Sequence, residues 1–387
     1  MPTPPAGPPA TSSRPPTRSA LEGLLTEAFD VPVTLDRLEP LAPWSVLRAH
    51  LADPGAGLPA SVIVKWLRDD PGGLRADPRQ IATERAALRF LAEDLGLVLA
   101  PRLLAAGATA PLLVLEDLAP RAPLDRVLRH RGAEPPPAGL VSFARALGEL
   151  GAATAGHAEL YRARRSELGP AGVRAVPTWP DTDGCWPHAV GHAAAFGVPL
   201  PGPAERELTG VLAEIADPGP FLCLTNGDSE ANNFLVAGDD GRIVDFEFAG
   251  YRHTLTSVVC LYVPGPAWLT VRDPVTTGLE AHYRRALARS VPEAGDDRLF
   301  GSGLAAACLT WAATRLVRFP RLDARPPGDP SRVQMVSVLE SAARVAEDHR
   351  VLPRLASWAR RAERALRRRW PDADVDLTAY PAYAPRH

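Results

Sequence analysis

Residues 221–250, FLCLTNGDSEANNFLVAGDDGRIVDFEFAG, gather side chains suited to handling phosphate. Asp228 lies in a loop after the apolar run FLCLT, where a carboxylate could accept or orient the proton of an attacking hydroxyl. Asn233 and Asp245 follow on either arm of FLVAGDDGRIVDF, which has the form of a hairpin around GDDG. With the turn centred on Asp239–Asp240, Phe234 is expected opposite Asp245 and Asn233 beside it. An amide oxygen and a carboxylate so placed could share a hard cation such as Mg²⁺. Phosphoryl transfer requires little beyond such positioning and charge neutralisation.

A second group lies upstream. Lysine occurs once in the chain, at Lys65 in VIVKW, against 42 arginines. Arginine can replace lysine on a solvated face but not where a compact ammonium is needed, so this lysine is a candidate site residue. Glu84 heads a stripe with Leu88, Leu91 and Leu95 and is expected to open a helix. A carboxylate at the head of an apolar stripe faces inward, where it could hold Lys65.

The elements that must position these groups read as α+β. A helix over SALEGLLTEAF precedes three strand-like runs, VPVTLDRL, SVLRAHLA and ASVIVKWL. The helix IATERAALRFLAEDL and the buried strand PLLVLEDL follow. Beyond them the pattern is mostly helical: 139–165, with Leu140, Phe143, Leu147 and Leu150 on one face, then 205–216, 274–289, 299–317, 331–348 and 353–369. The stretch 166–203 is rich in Pro, Gly and His and receives no assignment. The expected organisation is a Pro/Ser/Thr tail over 1–18, a sheet-rich lobe over 19–118 and a helical lobe over 119–387.

Composition excludes several classes. Acidic and basic residues nearly balance at 45 and 43, which points to neither nucleic acid nor anionic membrane as a partner. No apolar run is long enough to span a bilayer. Cys185, Cys223, Cys260 and Cys308 are scattered, which disfavours a zinc site or disulfide framework and suits a reducing, cytoplasmic setting. GxxxxGK[ST], GxSxG and strand-borne GxGxxG are all missing. His188 and His192 lack a third ligand, and His253 is expected to pack or cap. The stripe Leu355, Trp358, Ala362 and Leu366 reads as core, with the arginines of that helix on a solvated face.

NGDSEANN resembles the catalytic loop HGDxxxxN of the aminoglycoside phosphotransferase and choline kinase group, and IVDFEFAG resembles its metal-binding segment. The resemblance, over roughly residues 30–260, implies a two-lobed protein-kinase-like fold with the active site between a sheet-rich N-lobe and a mostly helical C-lobe. It implies that Asp228 is the catalytic carboxylate, that Asn233 and Asp245 bind Mg²⁺, and that Lys65 grips the α/β-phosphates. Backbone groups near Glu116 and Leu118 would meet the base of ATP, or of GTP, and Glu247 would support the metal. The acceptor would be a hydroxyl on a small molecule such as an aminoglycoside, amino alcohol or sugar. Asn226 stands where the group usually has His, and LEPLAPWSVLRAHL lacks the usual phosphate-loop glycines. Those departures motivate the alternative of a kinase-like nucleotide-binding module with little or no turnover.

Overall fold

The computed structural model describes residues 15–41, 45–55, 57–67, 77–107, 111–133, 136–168 and 184–386. Most of the expected tail, the middle of the first inter-strand loop and much of 166–203 lie outside them. The described residues of Met1–Ala119 and Leu160–Val176 form one compact unit, and those of Pro120–Glu159 and Pro177–His387 another.

The first unit is built on an antiparallel sheet in the order β1-β2-β3-β5-β4. Its strands are β1 (Leu35–Pro40), β2 (Val46–Leu51), β3 (Ser61–Trp66), β4 (Leu103–Ala106) and β5 (Leu112–Glu116). Alternation sorts the two faces. Leu47, Ala49, Leu51, Val62 and Val64 face a core closed by Leu21 and Leu25 of helix Arg18–Phe29. Arg48, Ser61 and Lys65 occupy the intervening positions and so point to the opposite face.

Helix Pro78–Arg89 starts with Asp77 accepting from the Arg79 amide at 2.9 Å and with Pro78 in the first turn. Glu84 therefore sits in the middle of the helix rather than opening it; the Asp-Pro start signal lies about two turns upstream of Glu84. The helix runs on into a π-turn over Phe90–Asp94. Helix Ala158–Ser166 joins this unit through Tyr161, whose ring lies 5.4 Å from that of Phe90, and through Arg164, which donates to Asp94 at 2.9 Å.

The second unit is mostly helical, with two small sheets: β6 (Ala122–Pro123), β8 (Phe234–Ala237) and β9 (Asp240–Ile243) in one, β7 (Leu222–Thr225) and β10 (Gly250–His253) in the other. The expected helix over 139–165 is two, Ala138–Thr154 and Ala158–Ser166, parted at Gly156 with φ +78°. Leu140, Phe143, Leu147 and Leu150 are all buried. Gly148 and Gly151 let helix Leu279–Leu287 approach closely: a Cβ on Gly148 would fall 2.8 Å from that of Ala286. Thr154 then fixes β7, accepting from the Leu224 amide at 3.0 Å, while its carbonyl accepts from the Tyr251 hydroxyl of β10 at 2.8 Å.

The hairpin register differs from expectation. Phe234 pairs with Ile243, not Asp245, and Ala237 pairs with Asp240. The turn is Gly238–Asp239, because glycine at the first central position supplies the positive φ (+65°) that a tight hairpin turn needs. Asp240 belongs to β9, where Arg121 and Arg242 engage its carboxylate. Helix Cys185–Ala195, in the unassigned stretch, is held to helix Asp297–Leu316 by the Trp186 indole donating to Thr310 at 3.3 Å. Among the described residues no helix is long and apolar enough to cross a membrane.

Candidate active site

In the second unit the chain leaves β7 into the loop Asn226–Glu230, turns once through Ala231–Asn233 and enters β8. Gly227 has φ +82°, and a Cβ there would fall 2.6 Å from Phe248 Cβ and nearer still to its carbonyl oxygen. Only glycine permits that approach. The loop thus lies directly against the segment that carries Asp245.

Asparagine amides fasten the two. Asn226 is 1% exposed. Its Nδ2 donates to the carbonyls of Asp228 (3.2 Å) and Val244 (3.4 Å), and its oxygen accepts from the Ser229 hydroxyl at 2.6 Å. Asn233 Nδ2 donates to the Asp228 carbonyl at 2.8 Å. The Val244 amide donates to the Asn233 carbonyl at 2.9 Å, which extends the hairpin ladder by one step and sets Asn233 across from the neighbour of Asp245.

Asp245 adopts φ +64°, a left-handed conformation that costs an L-residue roughly 1–2 kcal/mol. Fully buried Phe246 and nearly buried Phe248 hold it there. Carboxylate oxygens of Asp245 and Glu247 lie within 4.8 Å of each other. The Asn233 amide oxygen accepts from Asn232 at 2.8 Å and keeps a second lone pair, so the donors that these segments offer a cation are all oxygens. That chemistry fits a hard divalent cation and not zinc or copper.

Glu230, two residues past Asp228, was not singled out from the sequence. Burial, then the neighbouring Asp228, pushes its carboxyl up to about 8, against the pull of Arg315. Its side chain packs on Gly265, where a Cβ would fall 2.6 Å from the Glu230 carboxyl carbon. A cavity of about 220 Å³ opens beside Asp228, lined in part by His188, Trp311, Thr314, Arg315 and Arg318. A roomier depression of about 330 Å³ among Val275, Glu280, Arg284 and Arg285 holds none of the candidate residues. His253 is buried, stacks on Phe221 and accepts from the Leu255 amide, so it packs and caps.

In the first unit the Lys65 ammonium meets the Glu84 carboxylate at 2.6 Å, with both side chains largely buried. On the same sheet face Asp117 accepts from Arg48 at 2.6 Å, from the Ser61 hydroxyl at 2.6 Å and from the Ala119 amide at 3.0 Å. Those contacts hold its carboxyl below the usual range despite its burial. Asp117 fixes the strand end between Glu116 and Leu118, a role the sequence reading missed. The Glu116 amide donates to the Arg102 carbonyl at 2.9 Å, so that N–H is committed within the sheet; Leu118 is buried.

The chain thus orders a sheet-rich part bearing a Lys–Glu pair before a helical part bearing an Asp loop against an Asp hairpin. The chain belongs to the phosphotransferase enzyme family (APH), whose family model matches residues 47–299. No curated protein matches it. Among solved structures it is similar to a choline/ethanolamine kinase family protein from Mesorhizobium loti, with 17% identity over 84% of this chain and 93% of that one, at a TM-score of 0.45. A thermostable mutant of the aminoglycoside phosphotransferase APH(4)-Ia matches with 17% identity over 88% and 98% of the two chains, at 0.37. The amicoumacin kinase hAmiN in complex with AMP-PNP, Ca²⁺ and Ami matches with 11% identity over 80% and 88%, at 0.44.

Proposed function

We propose that the protein transfers the γ-phosphate of ATP, or of GTP, to a hydroxyl of a small acceptor with Mg²⁺ as cofactor. The observation that carries this reading is the fastening of the Asp228 loop to the Asp245 segment by Asn226 and Asn233. It keeps a carboxylate base beside an all-oxygen donor set. Asn226 satisfies its buried amide entirely within these loops, so it serves the structure, and its place in the motif does not count against turnover.

In the proposed reaction Lys65, oriented by Glu84, grips the α/β-phosphates, and Asp245 with Asn233 holds the cation. The region of Glu116 and Leu118 receives the base, with the Glu116 carbonyl in place of its committed N–H. Asp228 accepts the acceptor's proton as the acceptor oxygen bonds to Pγ and the bridging oxygen leaves with ADP. Bound at these oxygens, a divalent cation would neutralise phosphate charge. Asp228→Ala should abolish ATP consumption with an acceptor panel while leaving the melting temperature unchanged; near-normal turnover would refute the role. Melting stabilised by Mg²⁺-ATP, with no acceptor consumed by the wild type, would instead favour the nucleotide-binding module.

A further inference from the structure

The cavity beside Asp228 contains an unusual cation. Arg315 is 7% exposed, near the end of helix Asp297–Leu316. A guanidinium enclosed to this degree is unfavourable unless an anion meets it. Glu230 is the acidic group whose field reaches it, yet the two make no direct ion pair. The guanidinium carbon lies 5.7 Å from the centre of the Trp311 ring. Among the described residues the buried indole N–H of Trp311 has no acceptor, and Arg315 meets that ring by its guanidinium face. Arg318 lines the same cavity, and its own neighbours include Arg321, Arg325 and Arg386. Asp228 is the acidic residue among the lining side chains.

We propose, resting on the phosphotransferase reading, that the acceptor is a small alcohol carrying an anionic group, carboxylate or phosphate, which Arg315 binds in this cavity so that its hydroxyl faces Asp228. The planar guanidinium matches either anion with paired hydrogen bonds. Two guanidinium groups against one carboxylate disfavour a cationic acceptor. A volume of about 220 Å³ holds a molecule of a few carbons with one such group.

The probes are D-glycerate and glycerol 3-phosphate as anions, glycerol as the neutral analogue and ethanolamine as the cation. Binding to the intact protein is measured by calorimetry and by melting, with Mg²⁺-ATP binding measured alongside. At least one anion should bind, with glycerol and ethanolamine at least tenfold weaker. Comparing the two anions separates carboxylate from phosphate as the recognised group. Arg315→Met should weaken the anion at least tenfold and leave Mg²⁺-ATP affinity unchanged, which also reports that the variant is folded. Arg315→Lys, which keeps charge but loses the fork, should fall between. Binding of neither anion, preference for ethanolamine, or a loss confined to Mg²⁺-ATP would overturn the proposal. Arg315-dependent anion binding without phosphate transfer would support the anion site and refute the phosphotransferase reading instead.

Discussion

Gly227 offers a demanding check on the site. Its φ of +82° alone makes alanine cost roughly 1–2 kcal/mol there. The new Cβ would also fall 2.6 Å from Phe248 Cβ and 2.8 Å from its carbonyl carbon, atoms of a residue only 1% exposed that cannot swing aside. Forcing such a contact adds about 1–3 kcal/mol. Gly219→Ala is the matched control: φ is +52°, and nothing lies within 4 Å of its Cβ position. Both variants bear the backbone cost and only Gly227→Ala bears the clash. Gly227→Ala should therefore melt several degrees below Gly219→Ala, at about 2–4 °C per kcal/mol for a unit of this size. It should also lose on the order of 100-fold in turnover, because an ångström of separation between the Asp228 loop and the Asp245 segment misplaces the base. Calorimetry and ATP consumption on both variants decide it. Equal melting temperatures would mean that the loop does not lie against Phe248, and the fastening argument would go with it.

Other perturbations probe the remaining links. Asp245→Asn keeps a side chain that tolerates the left-handed conformation and removes the charge, so the metal-free melting temperature should hold while turnover drops by more than about 100-fold. Lys65→Met strips the ammonium from the buried Glu84 and should cost about 3–5 kcal/mol in urea unfolding of the nucleotide-free protein. Lys65→Arg should not restore nucleotide binding, because a fork does not replace a compact ammonium. Asp117 has its pKa lowered in the folded state, so its stabilisation is present above the unfolded value near 4 and is lost as pH falls through the folded value. Acid melting curves of Asp117→Asn should lack that part of the wild-type decline; an unchanged curve would place the acid sensitivity elsewhere.

What the sequence disclosed and what it hid have a common physical cause. The Asp228 loop, its hairpin and the Lys65 strand are local patterns, legible because turn chemistry and alternation act over a few residues. The hairpin slipped by two in register because Asp239 and Asp240 both resemble turn formers, whereas Gly238 determines the turn and Asp240 is drawn into β9 by Arg121 and Arg242. Helix Cys185–Ala195 escaped because Pro187 and Gly191 read as breakers; Pro187 falls in the first turn, where the missing N–H costs nothing. Asp117 was invisible because its partner Arg48 lies 69 residues away. Arg315 is one of 42 arginines, and its burial is a property of packing that no local window contains.

The two left-handed positions at the site also belong together. Gly227 and Asp245 both take positive φ, on facing strands of chain that meet at Phe248. Gly227 takes its conformation at no steric cost, whereas Asp245 in an isolated loop would relax out of its own. Phe246 and Phe248, buried on either side of Glu247, remove that freedom: releasing Asp245 would pull an aromatic ring out of the core, at roughly 1.5–3 kcal/mol for a side chain of that size. That exceeds the roughly 1–2 kcal/mol stored in the left-handed residue, so packing wins and the carboxylate stays aimed. The alternation Asp-Phe-Glu-Phe is thus a single device, with apolar residues that anchor and acidic residues that the anchors present.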